Sequence, residues 1–341
     1  MNLGNKVVYQ IYPKSFQDTN SDGIGDLKGI IKHLDYLEEL GVDYIWITPF
    51  YVSPQNDNGY DIADYRNIDP MYGTMEDFDL LVKEAAKRNI YLMMDMVFNH
   101  CSTRHEWFQK ALKGDPYYRD FFIFKKGKNG LPPTNWESNF GGDAWSYLPE
   151  TDEYYLHLFH VTQADLNWDN PNVRQACYDI VNFWIDKGVK GFRFDVINLI
   201  SKTGIYKDDL TGNGKKYYTD GPRIHEYLQE LNRNTFGRYD DIITVGEMSS
   251  TTLENSIRYS NPASHELSMI FSFHHLRIDY PSGNKWQIQP FRFHDLKKNL
   301  FTWQREMEKG GGWNALFWYN HDQPRIVSRI GDEGKYRLES A

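Results

Sequence analysis

Short apolar runs alternate with amphipathic stretches along most of the chain. VVYQIYP (7–13) predicts a strand, and after it Leu27, Ile30, Ile31, Leu34 and Leu37 recur at helical spacing. Asp26 stands where an N-cap belongs and Gly41 where that helix would end. YIWITP (44–49) is the next strand. Thr74 to Asp77 form a capping-box pattern, and the helix it opens would bury Phe78, Leu81, Val82 and Ala85. IYLMMDMV (90–97) is too evenly apolar for a half-solvated strand and predicts one covered on both faces, as in a parallel sheet.

The rhythm breaks after Asn99 and His100. From Cys101 to Leu166 the chain is rich in Gly, Pro, Asn and aromatics without helical period, so residues 101–166 predict an inserted subdomain rather than a mere connection. Asn170–Pro171 then opens a helix whose apolar face is Val173, Ala176, Cys177, Ile180, Val181 and Trp184, closed by Gly188. GVKGFRFDV (188–196), DIITVGE (241–247), ELSMIFSF (266–273) and NALFWYN (314–320) are four more strand candidates. Seven βα-type repeats point to an α/β protein, a (β/α)8 TIM barrel formed by 1–100 and 167–341. The insertion would lie between its third strand and third helix. One unit is missing from the pattern at the carboxyl end.

Composition narrows the function classes. The chain has 341 residues, and its 38 Lys+Arg against 47 Asp+Glu leave a formal charge of −9, which disfavours a nucleic-acid partner. At 40% hydrophobic residues a packed core is expected. Trp, Tyr and Phe number 10, 24 and 20, enough to supply flat faces for sugar rings as well as a core. Two cysteines, Cys101 and Cys177, make no disulfide scaffold and suggest a reducing compartment. The first residues lack a signal-peptide pattern and no apolar run approaches membrane-spanning length. The expectation is a cytoplasmic protein without a membrane partner, monomeric or weakly oligomeric.

Charged residues collect at predicted strand ends. In GFRFDV, period-two alternation puts Phe192 and Phe194 on one face and Arg193 and Asp195 on the other. Ile243, Val245 and Glu247 share a parity, so Glu247 is the last inward residue of its strand. Asp95 and His100 lie at or past the third strand's end, His321 and Asp322 follow the seventh, and Asp61 falls after the second. Singly, such an Asp is commonly a turn former, and Arg193 with Asp195 could be a structural ion pair. Together they predict a site at the barrel mouth. Two carboxylates on facing strands suit glycoside hydrolysis. Asp195 beside Arg193 would have a lowered pKa and stay ionised, while Glu247, after an apolar run, would keep a proton.

The same residues carry a family resemblance. DMVFNH (95–100), GFRFDVINL (191–199), VGE (245–247) and NHDQP (320–324) resemble the four signature segments of the α-amylase family of glycoside hydrolases, family 13. QADLNWDNP (163–171) is similar to the segment closing that family's inserted subdomain. The resemblance implies a retaining mechanism with Asp195 as nucleophile, Glu247 as general acid/base and Asp322 stabilising the transition state. It implies that Tyr60, Asp61, His100, Arg193, His321 and Arg325 contact the substrate. DTNSDGIGD (18–26) starts like an EF-hand loop, but Gly29 occupies the twelfth position where a bidentate Glu belongs. Members similar to oligo-1,6-glucosidases carry such a loop around Ca²⁺ or Mg²⁺. The ligands implied are Asp18, Asn20, Asp22, the Ile24 carbonyl and Asp26, in a structural role, with no cofactor for catalysis.

Val196, directly after Asp195, resembles members that cleave short oligosaccharides at bonds other than α-1,4. The segments TDGPRIHEYLQELN (219–232), GEMSSTT (246–252), FSFHHLRIDYPSGNKW (271–286) and GGGWNALFWYNHDQPR (310–325) look most like the subgroup that splits α,α-trehalose 6-phosphate into glucose and glucose 6-phosphate. Cleavage of isomaltose or sucrose, or glucosyl transfer, are the alternatives within the resemblance. A phosphate dianion at an acidic mouth requires local cations. Lys202, Arg277 and Lys285, on loops after strands, are the candidates. Family members continue through an eighth βα unit and a carboxyl-terminal β-sandwich domain, so a barrel ending at Ala341 is expected to be open at one seam and poorly stable.

Overall fold

The computed structural model describes residues 2–280, 284, 286–287 and 292–340. Six strands form one wholly parallel sheet in chain order: β1 (Val8–Ile11), β2 (Tyr44–Ile47), β3 (Tyr91–Val97), β4 (Gly191–Asp195), β5 (Ile243–Met248) and β6 (Met269–Ser272). Period-two alternation divides its side chains between two cores. Ile45, Ile47, Leu92, Met94, Met96, Phe192, Phe194 and Ile270 pack outward against the helices. Tyr44, Trp46, Met93, Ile243, Val245, Met269 and Phe271 fill the concave side. The strands between the edges are buried on both faces, which is why they read as continuous apolar runs.

The outer layer is built from α1 (Leu27–Lys32), α2 (Leu34–Glu39), α3 (Met75–Ala86), α4 (Pro171–Asp186), α5 (Ile224–Asn234), α6 (Leu253–Ser260) and α7 (Phe293–Lys309). The capping box of α3 is formed in both directions, with Asp77 N–H donating to Thr74 Oγ1 and Thr74 N–H to Asp77 Oδ2. Asn170 caps α4, with Pro171 as its first residue. Trp184 of α4 packs edge-on against Phe78 of α3 at 5.0 Å and donates its indole N–H to the Tyr65 carbonyl.

Two expected elements differ. The helix foreseen over 27–37 is broken at His33, whose backbone (φ −106°, ψ 9°) leaves the helical region while its ring pairs with Gln17. Gly29 lets α1 approach Gln17 there, because a Cβ would sit 2.2 Å from the Gln17 carbonyl oxygen. The seventh strand is reduced to one bridge. Asn314 pairs with Ile270, and Ala315 N–H donates to the Ile270 carbonyl at 2.8 Å. Beyond it Leu316, Trp318 and Tyr319 are exposed. A run of strand-like composition needs a partner for its backbone, and residues 316–320 find none in the described sheet. The observed architecture is therefore a six-stranded parallel α/β sheet, consistent with part of a barrel, with β1 and β6 at its edges.

Between β3 and α4 the chain makes a small layer of its own. His100–Ser102 pairs antiparallel with Gln163–Asp165, and strands 124–125, 145–148 and 153–156 form a separate sheet. Its aromatic core, with Trp136 and Trp145, is completed by Val196, Leu199, Tyr217 and Tyr218 from the segment after β4. The insertion is thereby fixed to the strand that carries Asp195. Among the described residues no helix is long and apolar enough to cross a membrane.

Candidate active site

Arg193 organises the mouth of the sheet. It is wholly buried, with its guanidinium 5.0 Å from the Trp46 ring. Nη1 donates to Asp95 Oδ1 at 2.7 Å and to Asp195 Oδ1 at 2.6 Å, and Nη2 donates to Glu247 Oε2 at 2.5 Å. Parallel register makes this possible, since Arg193 stands level with Asp95 on β3 and Val245 on β5. Asp95 is held further by the Tyr60 hydroxyl and the Trp46 indole.

Burial of three carboxyls around one cation cannot leave all of them charged cheaply. Burial pushes Glu247 up to about 8, with Arg193 pulling down and the charges of Asp195 and Asp322 adding to the rise. Asp195 is raised to about 6, again by burial first and against the pull of Arg193. A lowered Asp195 was expected from the arginine alone. Removal from water outweighs that pull, but the order survives, with Asp195 ionising before Glu247. The two carboxyls are gathered by one guanidinium, Asp195 on Nη1 and Glu247 on Nη2. Val196, next in sequence, is left-handed (φ 36°, ψ 39°), an uncommon and strained state for a β-branched residue, and its N–H donates to Glu247 Oε2 at 3.1 Å.

A cavity of 1090 Å³ opens over these groups. Tyr60, His100, Asp195, Glu247, His321, Asp322, Arg277 and Arg325 all line it. His321 stacks on Tyr60 with ring centroids 5.3 Å apart and 7° between planes. His100 is buried, and loss of water lowers its pKa to about 4, so the ring is neutral. Asp322 is the exposed acid, its side chain 54% accessible, with His321 Nε2 3.4 Å from Oδ2. Arg277 reaches the Ser249 carbonyl from the rim.

Asp61 lies behind the cavity wall, close enough for its charge to act on His100 and Asp57. It is fully buried and off the cavity wall, accepting from Ser53 Oγ and from the backbone N–H groups of Asn56 and Asp57. Its carboxylate folds the 53–61 loop, and the loop presents Asp57 to the cavity instead. Burial raises Asp57 to about 6, although Gln163 Nε2 donates to its Oδ2 at 2.7 Å. Lys202 is likewise unsuited to phosphate. It is buried, with Nζ 2.8 Å from both Asp165 Oδ1 and Asn99 Oδ1, because a lysine withdrawn from water requires a carboxylate partner. Lys285 lies outside the described residues. Asp57, Gln163, Trp46 and Gln10 are contributors that sequence reading missed. Gln10, Trp46 and Gln163 stand in VVYQIYP, YIWITP and QADLNWDNP, and only loop geometry distinguishes Asp57 from Asp61.

In the 18–26 loop, Asp18 accepts from the N–H groups of Asn20, Ser21 and Gly23, Asn20 from Asp22, and Asp22 from Ile24. These bonds, Gly23 first, hold Asp18 below the usual carboxylate range. Asp26 caps α1 through Gly29 N–H and ties back to Thr19. Among the described residues no group of three or more His, Cys, Asp or Glu side chains is arranged to hold a metal.

Residues 10–341 match the α-amylase catalytic domain. The chain belongs to the α-amylase family. Within this family it is 60% identical over 337 residues to the trehalose-6-phosphate hydrolase of Bacillus subtilis (strain 168), covering 98% of this chain and 60% of that one. It is 54% identical over 342 residues to an oligo-1,6-glucosidase of Parageobacillus thermoglucosidasius, with 98% and 60% covered. The solved trehalose-6-phosphate hydrolase of Bacillus licheniformis superposes with a TM-score of 0.95 at 60% identity, covering 97% of this chain and 60% of that chain. The chain thus spans about 60% of the length of these α-amylase-family relatives.

Proposed function

We propose that the protein is a retaining α-glucosidase acting on α,α-trehalose 6-phosphate. The observation that carries the reaction type is the pairing of Asp195 and Glu247 on one guanidinium with ordered pKa values, about 6 and about 8. Two carboxyls held on the two terminal nitrogens of one guanidinium fit the short separation of a direct displacement rather than the wider one that admits a water. Asp195 attacks the anomeric carbon as the glycosidic C–O bond breaks, and the proton of Glu247 passes to the departing oxygen. Glu247, now a base, takes a proton from the water that releases the glucosyl ester. Asp322 faces the charge that develops between these steps, and Asp57, Tyr60, His100 and His321 hold the sugar.

The phosphorylated substrate is supported by the relatives named for it, at 60% and 57% identity. Arg277 and Arg325 on the rim are the described cations able to meet a phosphate. The oligo-1,6-glucosidase at 54% identity keeps isomaltose as the second reading. Turnover of trehalose 6-phosphate, isomaltose and sucrose by the purified protein decides between them. Preference for the first supports the proposal, and preference for isomaltose overturns the substrate while leaving the mechanism. A fluorinated glucosyl trap should label Asp195.

The six-stranded sheet fits a (β/α)8 barrel of residues 1–100 and 167–341 with 101–166 inserted. An oxygen-only donor set is what Ca²⁺ or Mg²⁺ prefers, so Asp18, Asn20, Asp22, the Ile24 carbonyl and Asp26 are the ligands that would hold a structural ion, once the three Asp side chains are drawn together. A lower melting temperature in chelator, restored by Ca²⁺ or Mg²⁺, would support that ion. The two buried free cysteines accord with a cytoplasmic setting.

A further inference from the structure

His321 comes from a segment that no strand pairing holds, since 315–320 forms none beyond the bridge at Asn314. Its orientation rests on side chains. One face lies on Tyr60, an edge meets Trp46 at 6.0 Å, and Nδ1 is 2.8 Å from Nε2 of Gln10. Gln10 is a polar residue within β1, in register with Trp46 and on the wall of the cavity. We propose that Gln10 is a positioning residue, whose amide donates to Nδ1 of His321 and fixes the imidazole as the tautomer carrying its proton on Nε2. This inference rests on the glycosidase reading for its consequence, but its structural part stands apart from activity.

Two observations favour the same proton placement. Nε2 lies 3.4 Å from a carboxylate oxygen of Asp322, an acceptor, so a neutral ring is favoured with hydrogen on that side. A neutral ring with N–H at Nε2 must accept at Nδ1, and a carboxamide NH₂ is the donor placed there. The ring is biased towards neutrality by burial, while Asp322 and Glu247 oppose that bias and Arg193 reinforces it. Tyr60 and Tyr12 complete its surroundings. The bond also links the first strand of the sheet to the segment carrying the exposed acid. A mobile His321 would leave Asp322 and the sugar hydroxyls without an aimed donor.

The test is ¹⁵N NMR of histidine-labelled protein, with the His321 signals assigned by their loss in His321→Gln. The wild type should show protonated Nε2 and an accepting Nδ1. Gln10→Glu, nearly isosteric, replaces the donor with an acceptor. It should move the proton to Nδ1 or yield the imidazolium, with kcat falling about tenfold for loss of one aimed hydrogen bond. Gln10→Met, of similar length, should give mixed tautomers and a smaller fall in kcat. A wild-type ring protonated at Nδ1 would overturn the proposal, as would a Gln10→Met protein with unchanged tautomer and kcat. Should the wild type hydrolyse none of the three sugars, the glycosidase reading falls, and the tautomer measurement still decides the role of Gln10.

Discussion

Three buried carboxyls share the Arg193 guanidinium, and under the proposed mechanism the protons left among them would set the working pH. That mechanism needs Asp195 charged and Glu247 protonated. Asp195 at about 6 must lose its proton, so kcat/KM should rise through that region. Glu247 at about 8 must keep its proton, so the rate should fall above it. A bell between these arms is expected in initial rates from pH 5 to 9, the values belonging to the coupled set rather than to single residues. A plateau continuing well past the upper arm would remove Glu247 as the acid. The acids of the 53–61 loop offer a second contrast. Asp57→Asn removes a charge that faces the cavity, and kcat/KM should drop about 10- to 100-fold with little change in melting temperature. Asp61→Asn breaks the bonds that fold the loop, and its first effect should be on stability, by about 1–3 kcal/mol. The sequence carries Arg193, Asp195 and Glu247 plainly, because strand parity alone directs them. Which of Asp57 and Asp61 faces inward depends on turn hydrogen bonds that no periodicity encodes.

Legibility at the level of elements follows the range of the forces. Thr74 with Asp77 and Asn170 with Pro171 are local signals, and each opens a helix where the pattern places it. Thr74→Ala should destabilise α3 by about 1 kcal/mol, read as a lower urea midpoint with unchanged slope. An unchanged midpoint would mean that Asp77 and the buried face hold the helix end without the threonine. Non-local outcomes are harder to read. His33 is an ordinary residue in a helical pattern, yet its pairing with Gln17, an interaction between distant turns, accompanies the break. NALFWYN has strand composition throughout, but among the described residues its backbone pairs with β6 only around the Asn314 bridge, since extended backbone persists only where a neighbour takes its hydrogen bonds.

Across the whole molecule, the formal charge of −9 would act against the proposed phosphorylated substrate while the rim arginines would act for it. The two differ in range. Repulsion by the net charge is spread over the surface and reaches only as far as salt permits, roughly 30 Å at 0.01 M and about 10 Å at 0.1 M. A phosphate in contact with Arg277 is much less screened, because its charges sit within a few ångströms, well inside the Debye length. Raising NaCl from 0.01 to 0.1 M should therefore lower KM for trehalose 6-phosphate about two- to threefold by removing the distant repulsion. Neutral isomaltose has no such field to cross, and its KM should hold steady over the same range. Arg277→Ala should then raise KM for the phosphorylated sugar alone. If KM for trehalose 6-phosphate instead climbs with salt, attraction at the mouth outweighs the field of the whole protein, and the phosphate must meet more cationic surface than Arg277 and Arg325 supply.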